Sequence, residues 1–402
     1  MLSGMVSALP YSPLAPFAAW AGSRSPRMVI VGEAWGESEA EFRTPFAGQS
    51  GMELFRMLGE AMPYEAPDLH AAAAHLFRYG GAWIRPRNRW LDAVGIGMTN
   101  VLALRPPANA LGALCGKRQD FGQDYPGLPP LGRADKKGFP NGPFLRPEFL
   151  PELDRLLDEL ATARPNVVVA AGNTACWAVL QATNIGSIRG ATAMCRPRQL
   201  EGLKVLPTYH PAGVLRQWSW RPIVVADLMK AWREAQFPEL RRPQRQVLVN
   251  PTLEEIARWV DRTLALAPAS LAVDVETGQR QIKCIGFARS RSEALVVPFV
   301  DFGRQDGSYW VSAGVERAAR EQVQRLLASG IPLVFQNGLY DLQYILGEGF
   351  TLANCSEDTM LLHHSLFPEL QKGLGFLGSI YTSEASWKLM RRPKADTEKR
   401  DE

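Results

Sequence analysis

Cysteine is scarce in this chain, and the spacing of the few present excludes several kinds of protein. The 402 residues include five cysteines, at Cys115, Cys176, Cys195, Cys284 and Cys355. No two of them form a Cys-x-x-Cys pair, which argues against a zinc ribbon. Small secreted domains rely on closely spaced disulfide bonds, and this scattered set does not supply them. We therefore expect a protein that works in a reducing cytoplasm.

Long hydrophobic runs and a strong excess of one charge are also missing. No stretch approaches the ~20 apolar residues that cross a bilayer, so we expect no membrane partner. Basic and acidic side chains number 45 and 41, and the net charge of +4 does not by itself indicate a polyanionic partner. Hydrophobic residues make up 46% of the chain and charged residues 21%, which excludes a mostly disordered protein.

The first half of the chain alternates short β-branched runs with helical patterns. The runs that predict buried strands are 28–32, 97–103, 166–172 and 204–209. The helical patterns between them are 52–61, 151–163 and 174–181. This alternation predicts an α/β fold with a mostly parallel sheet and helices on both faces. Ligands of such sheets bind beyond the carboxyl ends of the strands, so the residues there are candidates for a site.

A polar and basic break at residues 241–246, with the sequence RRPQRQ, predicts a domain boundary. We expect a first domain over residues 1–240, a linker over 241–252 and a second domain over 253–402. After the break the pattern restarts with a helix and three runs that predict antiparallel strands, followed by helix, strand and helix. The chain is therefore expected to hold two domains.

Four side chains of the first domain stand at or near the ends of its predicted strands. Glu33 follows the first strand, Asn100 lies in the second, and His210 follows the fourth. Phe46 belongs to a Pro-Phe-Ala-Gly segment a little after the first strand. Carboxyl ends of parallel strands meet at one edge, so we expect one crevice. Taken singly, such residues also serve as a helix cap, a turn residue or a core aromatic.

Five segments of the first domain, in order along the chain, resemble the uracil-DNA glycosylase superfamily. They are GEAWGESE, PFAG, TNVLALRPP, VVVAAGNTA and TYHPAGVLR, and the resemblance covers residues 27–232. The nearest branch is family 4, of bacteria and archaea. The resemblance implies an αβα domain that flips a uracil nucleotide out of the duplex and cleaves the bond between base and deoxyribose.

The same resemblance implies a role for each of the four side chains. Phe46 stacks on the uracil, and Asn100 pairs with its polar edge. His210 donates a hydrogen bond to the charge that develops on the leaving base. Glu33 orients a water molecule or stabilises the sugar cation. Glu33, Asn100 and His210 thus form the expected catalytic set, and Phe46, Asn100 and His210 the expected uracil-binding set.

Two positions depart from the family 4 pattern. Members of that family carry four cysteines for an iron–sulfur cluster, and one of those positions is Leu104 here. No cysteine precedes Cys115, so we expect no iron–sulfur cluster. Trp35 stands where family 4 usually has proline.

Residues 210–221, with the sequence HPAGVLRQWSWR, resemble the DNA-facing segment of the superfamily. There a His-Pro segment leads apolar side chains into the duplex. The resemblance implies that Val214 and Leu215 form the wedge. It also implies that Arg216 and Arg221 contact phosphate groups of the DNA.

Three carboxylates follow strands of the second domain. Asp274 and Glu276 alternate along one predicted strand, so both point to the same face. Asp341 opens a helix after a later strand. Carboxylates that face one another are costly unless a cation neutralises them. The set therefore suits Mg²⁺ or Mn²⁺ in phosphoryl transfer.

The motifs around these acids resemble the proofreading 3′–5′ exonuclease domain of family A DNA polymerases. VDVET and NGLYDLQYI correspond to its first two motifs, and the match covers residues 247–387. The resemblance implies an RNase H-like (DnaQ-like) fold. Its third motif, a tyrosine four residues before a metal-binding aspartate, has no counterpart after Trp387, so we expect an incomplete exonuclease domain. The alternative is an RNase H-like fold without activity.

The two resemblances together imply a DNA-processing enzyme that acts on uracil-containing DNA and on single-stranded 3′ ends. Some phage family A polymerases resemble this layout, so a separately encoded polymerase portion is an expected partner, in a bacterial cell or phage-infected host. The alternative is a catalytically weak DNA-binding accessory protein, or the N-terminal fragment of a split phage polymerase.

Overall fold

The chain divides into two units near residue 240. The computed structural model describes residues 12–62, 83–132 and 138–384. The first unit holds residues 1–240 together with 375–402, and the second holds residues 241–374. In the described ranges, no helix is long and apolar enough to cross a membrane.

The division corrects one expected boundary. The second domain was expected to hold residues 253–402, but the described residues 375–384 group with the first unit. The physical reason is a buried contact, in which Arg189 and Lys230 donate hydrogen bonds to Ser379. The helical pattern near residue 375 carries no sign of this contact, which joins positions far apart in the sequence.

Eight strands belong to the first unit as described. They are β1 (Ala21–Gly22), β2 (Met28–Ala34), β3 (Ile96–Leu102), β4 (Cys115–Gly116), β5 (Phe144–Leu145), β6 (Val167–Ala171), β7 (Ala193–Met194) and β8 (Lys204–Thr208). Six of them form one sheet in the order β1-β3-β2-β6-β8-β7, while β4 pairs with β5. The four central strands run parallel, and β1 and β7 are antiparallel at the edges.

Eight helices of the first unit lie between its strands or directly after the last of them in sequence. They are α1 (Glu37–Phe42), α2 (Gln49–Ala61), α3 (Ile84–Val94), α4 (Leu150–Ala163), α5 (Asn173–Leu180), α6 (Ile185–Ile188), α7 (Pro211–Arg216) and α8 (Arg221–Glu234). Side chains of β2 alternate between two hydrophobic cores, with Ile30 in one and Val29 in the other. A strand buried on both faces is typical of a parallel sheet covered by helices. The predicted αβα architecture is confirmed.

The second unit begins at a short strand and carries one sheet. Its elements are β9 (Gln246–Leu248), α9 (Leu253–Leu266), β10 (Leu271–Gly278), β11 (Gln281–Ala288), β12 (Glu293–Pro298), α10 (Ala313–Leu327), β13 (Leu333–Phe335), α11 (Gly338–Gly347), β14 (Cys355–Asp358) and α12 (Thr359–Leu366). A last helix, α13 (Leu374–Tyr381), starts at the end of this unit and belongs to the first unit from Gly375 onward.

The sheet of the second unit has the order β14-β13-β10-β11-β12-β9. Strands β10, β11 and β12 form an antiparallel meander, and β13 and β14 extend it as parallel strands on the side of β10. The three antiparallel strands are the ones predicted for the sheet of the second domain. Along β10 the burial alternates, with Val273 and Val275 in the core and Asp274 and Glu276 on the opposite face. The predicted fold class is confirmed, and it leaves the acids exposed.

A buried ion cluster in the first unit supports β3 from α4. Arg155 pairs with Glu152 at 3.1 Å and with Glu159 at 2.8 Å, and all three side chains are buried. Its Nη2 also donates to the backbone oxygens of Asn100 at 2.7 Å and Val101 at 3.2 Å. The guanidinium thus links the helix to the segment of β3 that carries Asn100.

Replacing Arg155 tests this support. We expect Arg155→Leu to lower the free energy of unfolding of the first unit by about 3–5 kcal/mol, because Glu152 and Glu159 lose their buried counter-charge. Urea unfolding followed by fluorescence measures the change. The control is Arg105→Leu, which removes an exposed 3.5 Å pair with Glu37 and should cost under about 1 kcal/mol. Equal losses in the two variants would contradict the support.

Candidate functional sites

Asn100 and Phe46 meet at Gly32 in the first unit. Gly32 pairs with Asn100 across β2 and β3. A Cβ atom placed on Gly32 would lie 2.3 Å from Oδ1 of Asn100 and 2.8 Å from Cζ of Phe46. Both distances are too short for any side chain, so only glycine permits this close approach. The amide and the edge of the aromatic ring therefore lie against the same backbone position.

His210 joins this pair from the end of β8. Its ring centroid lies 6.1 Å from that of Phe46, and the two planes differ by 23°. His210 caps α7, and its Nδ1 accepts a hydrogen bond from the N–H of Ala212 at 3.2 Å. The neutral ring then carries its proton on Nε2. Burial lowers the pKa of His210, while the nearby Glu33 carboxylate opposes this shift.

Glu33 lies beside a cleft of about 520 Å³. The Oγ1 of Thr174, at the start of α5, donates a hydrogen bond to Oε2 of Glu33 at 2.5 Å. Residues 110–113 and 138–141 line the cleft together with Glu33 and Thr174. Glu33 opposes the lowering of the His210 pKa. Its carboxylate therefore belongs both to the cleft and to the surroundings of the imidazole.

The loop that carries Phe46 is held from α3 by Arg87. Phe46 has a φ of 51°, in the left-handed region that a bulky residue rarely adopts. The buried Arg87 donates through Nη1 to the backbone oxygens of Pro45 and Phe46, and through Nη2 to Thr44. Burial lowers the pKa of Arg87 to about 10, while Glu39 opposes the shift. Motif comparison did not indicate Arg87, because its partners lie some forty residues away.

Glu39 holds the same loop from its other side. Its Oε1 accepts hydrogen bonds from the N–H groups of Ala47 at 3.0 Å and Gly48 at 3.2 Å. Its Oε2 accepts one from Gly36 at 3.1 Å, at the start of α1. Glu39 stands in the GEAWGESE segment, three residues after Gly36, and that capping spacing was available in the sequence.

The structure corrects the expected DNA-facing segment. Val214 is fully buried in a core of the first unit, so it cannot form a wedge. Arg221 is engaged by Glu53 at 2.7 Å and by Glu60, so its guanidinium is not presented to phosphate. Leu215 is 44% exposed, and Arg216 is also exposed. A contact of Leu215 and Arg216 with DNA stays a prediction.

Trp218 is an exposed aromatic side chain of the same segment that the predicted set omits. It is 60% exposed, and the guanidinium carbon of Arg221 lies 5.3 Å from its ring centroid. The neighbouring Trp220 instead stacks on Tyr209 with the centroids 4.1 Å apart. The two tryptophans thus differ in role, which their sequence spacing did not reveal.

The three acids of the second unit lie on β10 or bind its backbone. Asp274 and Glu276 share the exposed face of this strand. Asp341, in the first turn of α11, accepts a hydrogen bond from the N–H of Val275 at 2.9 Å. Burial raises the pKa of Asp341, and the carboxylates of Asp358 and Glu276 add to this effect. Asp341 therefore binds the backbone of Val275, which lies between Asp274 and Glu276 on β10.

The donor set fits a divalent cation by its chemistry. Carboxylate oxygens are the ligands that Mg²⁺ and Mn²⁺ prefer. In the part of the chain that the structure describes, no group of three or more His, Cys, Asp or Glu side chains is closed enough to hold a metal ion. Asp358 is engaged elsewhere, since it accepts hydrogen bonds from the N–H groups of Asn337, Gly338, Met360 and Leu361.

Two acids follow Trp387 in the sequence, at Asp396 and Asp401, near where the third exonuclease motif would stand. Both lie outside the described residues, as does the whole segment after Trp387. The described site therefore consists of Asp274, Glu276 and Asp341.

Comparison with known proteins assigns the first unit to a family. The sequence profile described as the uracil DNA glycosylase superfamily matches residues 20–236. The chain belongs to this superfamily. The match includes the superfamily segments that carry Glu33, Phe46, Asn100 and His210. No curated protein matches the chain in a sequence comparison.

A solved structure is similar to part of this glycosylase-superfamily chain. It is the crystal structure of Escherichia coli RNase D, an exoribonuclease involved in structured RNA processing, with 16% sequence identity and a TM-score of 0.26. The similarity covers 38% of this chain and 39% of that chain. The chain thus spans about two fifths of the length of RNase D.

Removal of Arg87 tests how the Phe46 loop is held. We expect Arg87→Met to lower the free energy of unfolding of the first unit by about 1–3 kcal/mol, because buried backbone acceptors of Pro45 and Phe46 lose their donor. The matched control is Arg85→Met, an exposed arginine of the same helix. Chemical unfolding of both variants gives the difference, and a loss as large for Arg85→Met would contradict the role of Arg87.

Proposed function

We propose that the first unit removes uracil from DNA. The observation that carries the proposal is the contact at Gly32, where the Asn100 amide and the Phe46 ring approach one backbone position. An amide offers both a donor and an acceptor, as the edge of uracil requires. An aromatic ring offers a stacking face for a flipped base. Their proximity supports a pocket for a single base.

His210 supplies the electrostatic part of the proposed reaction. Cleavage of the bond between uracil and deoxyribose leaves negative charge on the base. The Nε2–H of the neutral imidazole donates a hydrogen bond to that charge, because Nδ1 is already occupied by Ala212. Glu33, oriented by Thr174, positions the attacking water or stabilises the sugar cation. Leu215 and Arg216 contact the DNA.

Loss of the pocket side chains should abolish uracil release. We expect Asn100→Ala and His210→Ala each to slow release from a uracil-containing oligonucleotide by about 100-fold or more, as removal of one preorganised donor does elsewhere. The control is His364→Ala, an exposed histidine of the second unit. Chromatography of free uracil under single-turnover conditions measures the rate. Undiminished release by both pocket variants would place the reaction elsewhere.

The pH dependence of release follows from His210. Its pKa lies below the ordinary value of 6.5, so the neutral imidazole persists as the pH falls through 6.5. Protonation of Nδ1 would break the bond to the Ala212 N–H and displace the ring. We expect kcat to hold through pH 6.5 and to decline only at lower pH. Rate profiles over about pH 5–8 test this, and a decline centred at or above 6.5 would contradict it.

We also propose that the second unit is a metal-dependent 3′–5′ exonuclease. The supporting observation is that Asp341 of α11 binds the backbone between Asp274 and Glu276 of β10. They would hold Mg²⁺ or Mn²⁺, which activates water and stabilises the leaving oxygen when bound. The sequence motifs favour a proofreading role beside a separately encoded family A polymerase portion.

Digestion of a labelled single strand tests the exonuclease. With Mn²⁺ we expect only slow shortening from the 3′ end, because the third exonuclease motif has no counterpart after Trp387, and we expect Asp274→Ala to abolish it because a cation ligand is lost. Asp261→Ala, which removes an exposed acid of α9, serves as the control. Digestion that survives in Asp274→Ala, or none in the unaltered chain with Mn²⁺, would overturn the proposal.

A further inference from the structure

Helix α13 is anchored in the first unit by a buried cluster of charges. Arg189 forms two hydrogen bonds to the Asp227 carboxylate, at 2.8 and 3.1 Å. Its Nη1 donates to Oγ of Ser379 at 2.8 Å, and its Nη2 donates to the backbone oxygen of Ser379 at 3.2 Å. Lys230 donates to the same backbone oxygen. All four side chains are buried.

The two cations of this cluster share one carboxylate and also bind α13. Among these described residues, the single carboxylate of Asp227 faces two cations, Arg189 and Lys230. Burial lowers the pKa of Lys230 to about 8, Asp227 opposes that shift and Arg189 adds to it. Ser379 supplies further acceptors to both cations, and the backbone oxygen of Gly190 accepts a hydrogen bond from Lys230 at 3.2 Å. Buried donors left without an acceptor are costly, so the contacts with Ser379 stabilise the cluster.

The fit of α13 is also steric. Gly190 has a φ of +76°, and a Cβ atom there would lie 2.4 Å from the backbone oxygen of Ser379. The guanidinium carbon of Arg189 lies 5.9 Å from the ring centroid of Tyr209 and 5.6 Å from that of Phe376. Phe376 belongs to α13 and Tyr209 directly precedes His210. The cluster thus places α13 next to the segment that carries the imidazole.

A hydrogen bond connects this cluster to the proposed uracil site. Oγ1 of Thr208, the last residue of β8, donates to Oδ2 of Asp227 at 2.8 Å. Thr208 and His210 are separated only by Tyr209, whose ring stacks on Trp220. If α13 were displaced, Arg189 and Lys230 would both turn to the Asp227 carboxylate. The hydrogen bond from Thr208 to that carboxylate would then be weakened. The start of the His210 segment would then lose its support.

We propose that Ser379 in α13 is a positioning residue for His210, acting through Arg189, Asp227 and Thr208. The inference rests on the proposed uracil excision and deepens it, because it adds a segment from beyond the second unit to that site. Ser379 touches no substrate in this proposal. Its effect is to keep the imidazole where it meets the leaving base.

The test uses the full chain with three serine variants. Ser379→Leu places a bulky side chain against Arg189 and displaces α13, whereas Ser379→Ala keeps the backbone oxygen and removes only Oγ. Ser365→Leu, on the exposed face of α12, is the matched control. We expect Ser379→Leu to lower kcat for uracil release by about 10- to 100-fold, as misplacement of a catalytic group does, with KM nearly unchanged. Ser379→Ala should have a smaller effect in the same direction.

A second readout separates this inference from the proposed function. Titration of His210 by NMR, assigned by comparison with His210→Ala, reports its surroundings without any reaction. The facing charges of Glu33, Glu39 and Arg216 are unaltered in the serine variants. We expect Ser379→Leu to shift this titration and Ser365→Leu not to.

Failure of the proposed uracil release and failure of the proposed role of Ser379 give different results. If the unaltered chain releases no uracil, the proposed function fails, and the titration still decides whether Ser379 positions His210. If Ser379→Leu does not fold, Ser379→Ala decides, and an unchanged kcat and titration in that variant would overturn the inference. A folded Ser379→Leu variant with the kcat and titration of the unaltered chain would overturn it as well.

Discussion

The absence of a side chain at Gly32 is the constraint on which the first site depends. There β2 passes so near the amide of Asn100 and the ring of Phe46 that any Cβ atom would collide with both. The parallel sheet brings Asn100 alongside β2, and the loop before α2 brings in the ring. His210 is added from β8 because the carboxyl ends of parallel strands share one edge. The Asn100 amide and the Phe46 ring thus lie against a backbone position that has no side chain, and the His210 ring lies beside the Phe46 ring.

Each of these three side chains is held by a buried cation. Arg155 binds the backbone of β3 at Asn100, Arg87 binds the backbone at Phe46, and Arg189 holds the carboxylate that receives Thr208. A guanidinium has several donors in a fixed planar geometry, so one side chain can bind a carboxylate and backbone oxygens together. These contacts would hold the three segments in place for the proposed reaction, since electrostatic stabilisation of a leaving group requires donors that are already in position.

Much of this arrangement could be predicted from local pattern, and the rest depended on distant partners. The apolar run of β2 and the alternation of β10 predicted the parallel sheet and the shared face of Asp274 and Glu276, because strand periodicity is local. Val214 and Arg221 were misassigned, since their surroundings come from α2 and the core, far away in sequence. The supporting arginines were missed for the same reason. A buried cation and an exposed one look alike until their partners are known.

The first unit contains residues from both sides of the second unit in the sequence, and this has a consequence for how the protein is encoded. The first unit is made of residues 1–240 and the segment from 375, and the whole second unit is inserted between them. No continuous stretch of coding sequence therefore specifies the complete first unit without the second. A gene fragment ending near residue 240 lacks Ser379, and one starting near residue 241 carries part of the other unit's core. The dependence is one-sided, because the second unit is one continuous stretch, whereas a reading frame that holds both parts of the first unit must pass through the second.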